Sequence, residues 1–179
     1  MRRIISVLIL SLGLIFVISG CGAKTQEIMP EQQVTMEQVN TEGKYVARAF
    51  LEAVFTDNRA MFDKCYPQGF FERMGDNTGE DLYAQYRNIM RINANVNGTA
   101  STGYKDYCLA NGYDEAAMRS RICLLTGFEY SSIGLIQIQK VTVFFSNGSE
   151  KIDTDFYYVV YEINGSWYML ESFREDAGF

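Results

Sequence analysis

Tyr157-Tyr158-Val159-Val160-Tyr161-Glu162-Ile163-Asn164-Gly165-Ser166-Trp167-Tyr168-Met169-Leu170-Glu171-Ser172-Phe173 is the stretch whose reading decides the fold. Two runs rich in aromatic and β-branched residues flank Asn164-Gly165. A two-residue type I′ turn needs positive φ at both central positions, and Asn followed by Gly meets that demand at least steric cost. The stretch therefore predicts a β-hairpin, with strands over Ile152–Ile163 and Trp167–Phe173. Upstream, Ile133–Phe145 is a third β-rich run, and Ser146-Asn147-Gly148-Ser149 is the turn that returns it. Alternation puts Tyr157, Val159, Tyr161 and Ile163 on one face and Phe156, Tyr158 and Val160 on the other. Apolar or aromatic residues on both faces predict a sheet with neither face wholly in water.

The period changes toward the N-terminus. Val46, Phe50 and Val54 recur every four residues beside a second row, Ala47, Leu51 and Phe55, which predicts a helix from about Val39 to Phe55. Thr56-Asp57-Asn58 breaks it, and Asp57 is the candidate N-cap of a short second helix carrying Met61 and Phe62 and ended by Pro67. Gly69 to Met74 suggests another helical turn, and Gly75 to Gly79 a loop. Leu82, Tyr86, Ile89 and Met90 mark a helix over about Glu80–Asn93. Asn95–Gly103 is expected as a loop, and Asp114–Arg121 as a helix with Asp114 near its start.

Helices first and an antiparallel meander last make the fold class α+β, with N-terminal helices packed on a C-terminal curved antiparallel sheet. The broken helix pair at Thr56-Asp57-Asn58, the later helix and the closing hairpin resemble the nuclear-transport-factor-2-like, cystatin-like fold over about residues 40–173. Residues 95–128 depart from the compact version and look like an insertion. The resemblance implies a cone whose apolar pocket can hold a ligand, or a catalytic Asp, Tyr or His in isomerases, dehydratases and cyclases.

The first residues carry an address. Arg2 and Arg3 precede an apolar run from Ile4 to Ile18, 15 residues long, where a spanning helix needs about 20. The run ends in Ile18-Ser19-Gly20-Cys21, which resembles the bacterial lipobox: an aliphatic residue, two small residues and a cysteine. That resemblance implies cleavage before Cys21, with a diacylglycerol on its sulfur. The expected organisation is a signal peptide over 1–20, a lipidated N-terminus and flexible tether over 21–38, and one domain over 39–179 at the extracytoplasmic face of the cell membrane. Losing Arg2 and Arg3 leaves 14 basic against 22 acidic residues, a net charge of −8. Such a surface repels phosphate backbones, so nucleic acid is not an expected partner. Nor does it supply polybasic attraction to lipid heads, which leaves membrane attachment to the acyl chains.

Chemistry is narrowed by what the chain lacks. It has no histidine, so the usual neutral-pH proton carrier is missing. No CxxC occurs and no metal or other cofactor is expected. Asn93-x-Asn95-x-Asn97-Gly98 imitates the start of a calcium loop but has no carboxylate, and Tyr104 stands where a bidentate Glu is required. With Cys21 acylated, Cys65, Cys108 and Cys123 remain. Cys108 and Cys123 can close a loop of about 15 residues, worth about 3 kcal/mol in the entropic account; equally, all three can pack as buried thiols. Lys64 beside Cys65 is the only sequence hint of an activated nucleophile.

Acid–base catalysis, which the resemblance implies, would fall to Asp153, Asp155, Tyr157 and Tyr161. Asp153 and Asp155 share a strand face, and two carboxylates would repel in a dry pocket, so both are expected to be solvated. No catalytic residue is expected on that ground. Tyr157, Tyr161 and Trp167 are the candidate ligand-binding residues, because such rings suit half-apolar, half-wet sites. The expected function is a non-catalytic envelope interaction or small-apolar-ligand-binding module. The competing readings are a pocket enzyme of isomerase or dehydratase type and a structural subunit of an envelope assembly.

Overall fold

The computed structural model describes residues 29–75, 79–89 and 95–173. The expected signal peptide, Cys21 and the expected tether up to residue 28 lie outside these, as do part of the 75–79 loop and the last residues of the helix expected to run to Asn93. Helices α1 (Gly43–Thr56), α2 (Arg59–Lys64), α3 (Phe70–Met74) and α4 (Glu80–Ile89) come first. Strand β1 (Asn95–Asp106), helices α5 (Tyr107–Asn111) and α6 (Glu115–Thr126), and strands β2 (Ile133–Asn147), β3 (Glu150–Ile163) and β4 (Ser166–Phe173) follow. The strands form one antiparallel sheet in the order β1-β2-β3-β4. The chain is α+β, with α5 and α6 inserted between the first two strands.

The closing hairpin is as expected. Asn164 and Gly165 both have positive φ, 50° and 81°, and Ile163 pairs with Ser166 across them. Among the helices, α1 starts at Gly43 rather than near Val39. Asp57 is not the cap of α2: it takes the left-handed conformation that ends α1, with φ 57° and ψ 39°. Asn58 caps α2 instead, its side chain accepting from Met61 N at 3.1 Å. Tyr83 Oη of α4 donates to Asp57 Oδ1 at 2.8 Å, and an Arg87 guanidinium nitrogen lies at the same distance from that oxygen. Packing against α4 thus holds a residue type that tolerates the left-handed region at the end of α1.

The expected loop at Asn95–Gly103 is instead most of β1. It pairs with β2 from Asn95↔Ser146 to Asp106↔Gln137, with irregularities after Val96 and after Gly103. Its two glycines, two asparagines and scant apolar pattern hide it as a strand; backbone pairing with β2 specifies it. Residues 31–38, expected as tether, are docked on the domain. Glu31 N donates to Thr99 O at 2.9 Å, Val34 N donates to Glu52 Oε2 at 2.8 Å, and Val34 is buried.

Helix α1 crosses the first face of the sheet, where Gly43 meets Trp167 and Val160 and Phe50 meets Tyr158. Phe50 sits inside an aromatic cage of Phe62, Tyr66, Tyr86 and Tyr158, with ring centroids 4.7 to 6.4 Å away. The second face carries Tyr157, Val159, Tyr161, Ile136 and Ile138. Helices α5 and α6 cover one end of it: Arg119 of α6 donates to the carbonyls of Ile133 and Gly134, Arg121 pairs with Glu171 at 2.6 Å, and Tyr107 of α5 lies 3.5 Å from Glu171. Both faces are therefore apolar where helices cover them, as the alternation requires.

A candidate interaction surface on the open half of the sheet

Beyond α5 and α6 the second face is partly open: Thr102 and Asp155 are exposed and Tyr104, Lys140 and Tyr157 half-buried, over buried Ala100 and Thr142. Register places Thr102, Lys140 and Tyr157 in one row across three strands, and Ala100, Thr142 and Asp155 in the next. Asp155 accepts from Thr142 Oγ1 at 2.7 Å and from Lys140 Nζ at 2.6 Å. The Asp155 carboxylate, hydrogen-bonded to it, raises the Lys140 ammonium above the ordinary lysine value. Tyr104 lies over Tyr157 with ring centroids 4.8 Å apart, tilted by 56°. The result is a patch of two rings beside a paired cation and anion, each side chain anchored by a neighbour on the sheet.

The sequence candidates are dispersed by the fold. Tyr157 is half-buried and belongs to this patch. Tyr161, on the same face, is fully buried under the helices, 6.0 Å from the ring of Tyr168. Trp167 is on the opposite face, against Gly43. The structure does not gather the three around one ligand position. Asp153 and Asp155 are both exposed, and Asp155 is already engaged by Lys140 and Thr142. The residues that sequence reasoning missed are Lys140 and Thr142. They become neighbours of Tyr157 and Asp155 only through strand register.

Among the described residues Cys65, Cys108 and Cys123 are free thiols, with Cys65 buried and Cys108 and Cys123 half-buried. Burial pushes the Cys65 thiol well up, which is the reverse of nucleophile activation. Among the described residues no group of three or more Cys, Asp or Glu side chains is placed to hold a metal ion. Also among them, no helix is long and apolar enough to cross a membrane.

A second polar arrangement lies where the N-terminal segment meets α1. Arg48 and Glu52, one turn apart, are 2% and 8% exposed. Arg48 donates through Nε to Thr99 Oγ1 at 3.1 Å, and through its terminal nitrogens to Glu31, to the Gln32 carbonyl and to Glu52. Glu52 also accepts from Thr99 Oγ1 at 2.5 Å and from Val34 N. This network joins the incoming segment, α1 and β1. Beside it lies an open cleft of about 480 Å³ lined by Gln33, Glu52, Asp57, Asn58 and Arg59 among others. Arg59 is paired with Asp63 and Glu80 there, at 2.7 and 2.6 Å.

The buried tyrosines make stability depend on alkaline pH. Desolvation, with the Asp57 carboxylate adding to it, pushes Tyr83 up to about 12; desolvation, with the Glu171 charge, does the same for Tyr107. Burial raises Tyr66, Tyr158 and Tyr161 as well. Below the ordinary tyrosine value of about 10 all are neutral, folded or unfolded, and their contribution is complete. As pH rises from 10 toward 12 the unfolded chain ionises while the folded core does not, so stability falls. The urea midpoint should drop across that window, and tyrosinate absorbance should appear in step with unfolding. A midpoint flat from pH 9 to 12 would contradict this assignment.

No protein family, characterised protein or solved structure matches the chain.

Proposed function

We propose that this chain is a lipid-anchored extracytoplasmic interaction module, with a cone-like sheet of the cystatin-like, nuclear-transport-factor-2-like kind, that binds a protein of the cell envelope through the open half of its sheet. The observation that carries the reading is the Tyr104–Tyr157 and Lys140–Asp155 patch. Paired aromatic rings flanked by a neutralised ion pair offer apolar area at low entropic cost and a defined rim, as protein interfaces do. Asp155, exposed and engaged by Lys140 and Thr142, has the setting of a polar rim and not that of a carboxylate enclosed in a dry pocket.

The anchor follows from the lipobox-like Ile18-Ser19-Gly20-Cys21 and the short apolar run before it. Cys21→Ala should abolish lipid labelling and leave an unprocessed or released protein. Mass spectrometry finding an unmodified Cys21 on the mature, membrane-bound chain would sink the anchoring half. For the interaction half, a photo-crosslinking amino acid at Tyr157 should yield one discrete protein adduct in intact envelopes, weakened by Lys140→Glu. Adducts equally abundant from exposed Leu124, on α6, would show that Tyr157 marks no interface.

A further inference from the structure

We infer that the end of the sheet at the β2–β3 turn is a membrane-docking tip, seated on the bilayer that holds the anchor; the inference rests on the anchoring reading above. Register aligns Val96, Phe145 and Ile152 in one row across β1, β2 and β3. Phe145 in the middle is buried against Phe55, 5.8 Å away, whereas Val96 and Ile152 at the ends are 37% and 47% exposed. Adjacent strands lie about 4.8 Å apart, so the two exposed side chains stand roughly 10 Å from one another. The charges before Ile152 at the start of β3, Glu150 and Lys151, are of opposite sign. Asp153 on the other side of Ile152 is exposed as well and leaves the tip with one net negative charge, so the contact it offers the bilayer is the apolar row itself.

The incoming chain arrives at this same end. Pro30 packs directly on Gly98, where an added Cβ would stand 2.6 Å from Pro30 Cβ, and Gly98 adopts a φ of 151° that other residues avoid. Gly98 is two residues from Val96, about 7 Å along the strand. Met29, just outside, is 75% exposed. The Arg48 network holds residues 31–34 in place, so the point of attachment is set. From Cys21 to Met29 the chain takes eight residue steps, which span at most about 28 Å when fully extended. Strand β3, 14 residues long, measures about 45 Å, so the Asn164-Gly165 turn at its far end is beyond the reach of the anchor. The anchor can therefore lie beside the Val96–Ile152 end and not beside the opposite turn, and the exposed apolar row is what stands nearest the bilayer there.

The test uses the mature acylated protein in phosphatidylethanolamine–phosphatidylglycerol vesicles carrying an acyl-chain diazirine, with labelled peptides mapped by mass spectrometry. Peptides holding Met29, Val96 and Ile152 should be labelled. Those with Leu109 and Leu124, which are 85% and 77% exposed, should not. The V96D/I152D variant, with its fold checked by circular dichroism, should lose the label at the tip while still floating with the vesicles. Uniform labelling, unchanged labelling in the variant, or replacement of the label by a crosslinked dimer each overturns the docking. An acylated, floating protein with an unlabelled tip refutes docking alone. An unacylated Cys21 on a protein that does not float refutes docking and anchoring together.

Discussion

Arg48→Met should destabilise the mature domain by about 3–5 kcal/mol, the cost of leaving one member of a buried ion pair without its partner. The guanidinium serves four acceptors at once: Glu31, the Gln32 carbonyl, Glu52 and Thr99. Without it, Glu52 keeps only Thr99 Oγ1 and Val34 N, at 8% exposure. The loss should be local as well as global, because residues 31–34 reach the domain largely through these contacts. Amide exchange at Glu31 and Val34 should rise before the rest of the domain opens. Arg48→Lys keeps the charge but not the planar fork, and should recover only part of the loss. The double variant Arg48→Met/Glu52→Met should be far milder than the sum of the single changes, since an apolar pair leaves no buried charge behind. A urea-derived loss below about 1 kcal/mol for Arg48→Met would mean that water reaches the network in solution.

Phe50→Ala should cost a comparable amount, about 3–5 kcal/mol, through lost burial and the cavity left behind. Phe50 is fully buried and touches rings from α2, α4, β3 and the segment after α2, with Tyr86 edge-on at 4.7 Å and Tyr158 at 5.2 Å. No small shift of one neighbour can fill a space walled by four separate elements. Phe50→Leu retains much of the volume and should lose well under half as much. Comparable urea midpoints for the Ala and Leu variants would show that the cage collapses freely, and that the ring is not the element-joining residue the packing makes it.

How much of this was legible beforehand depends on whether the signal was local. The Asn164-Gly165 turn was readable because positive φ at two successive residues is a property of those residues alone. Asp114 was readable as the start of α6 for a similar reason: its side chain accepts from Ala116 N at 2.9 Å, two residues on. The cap of α2 falls on Asn58, one position after the Asp57 that local preference suggests. Asp and Asn suit either a helix cap or the left-handed residue that ends a helix, and contact with Tyr83 and Arg87, far along the chain, selected the second role for Asp57. Strand β1 carried almost no local signal, because an edge strand half in water can be polar when its backbone is paired by a neighbour.

The sequence by itself determined the helix-then-hairpin order, the two-faced sheet and the absence of histidine chemistry, since periodicity, turn stereochemistry and composition act over a few residues or over none. Only the tertiary structure decided which side chains share a site. Trp167 and Tyr157, both expected near a ligand, ended on opposite faces because strand alternation and register, not aromatic character, assign direction. Lys140 met Asp155, and Arg48 met Glu31 and Thr99, through pairings that span 15 to 51 residues of chain. Contacts at that separation form when whole elements pack, and the free energy that selects them belongs to the assembled core rather than to any segment read alone.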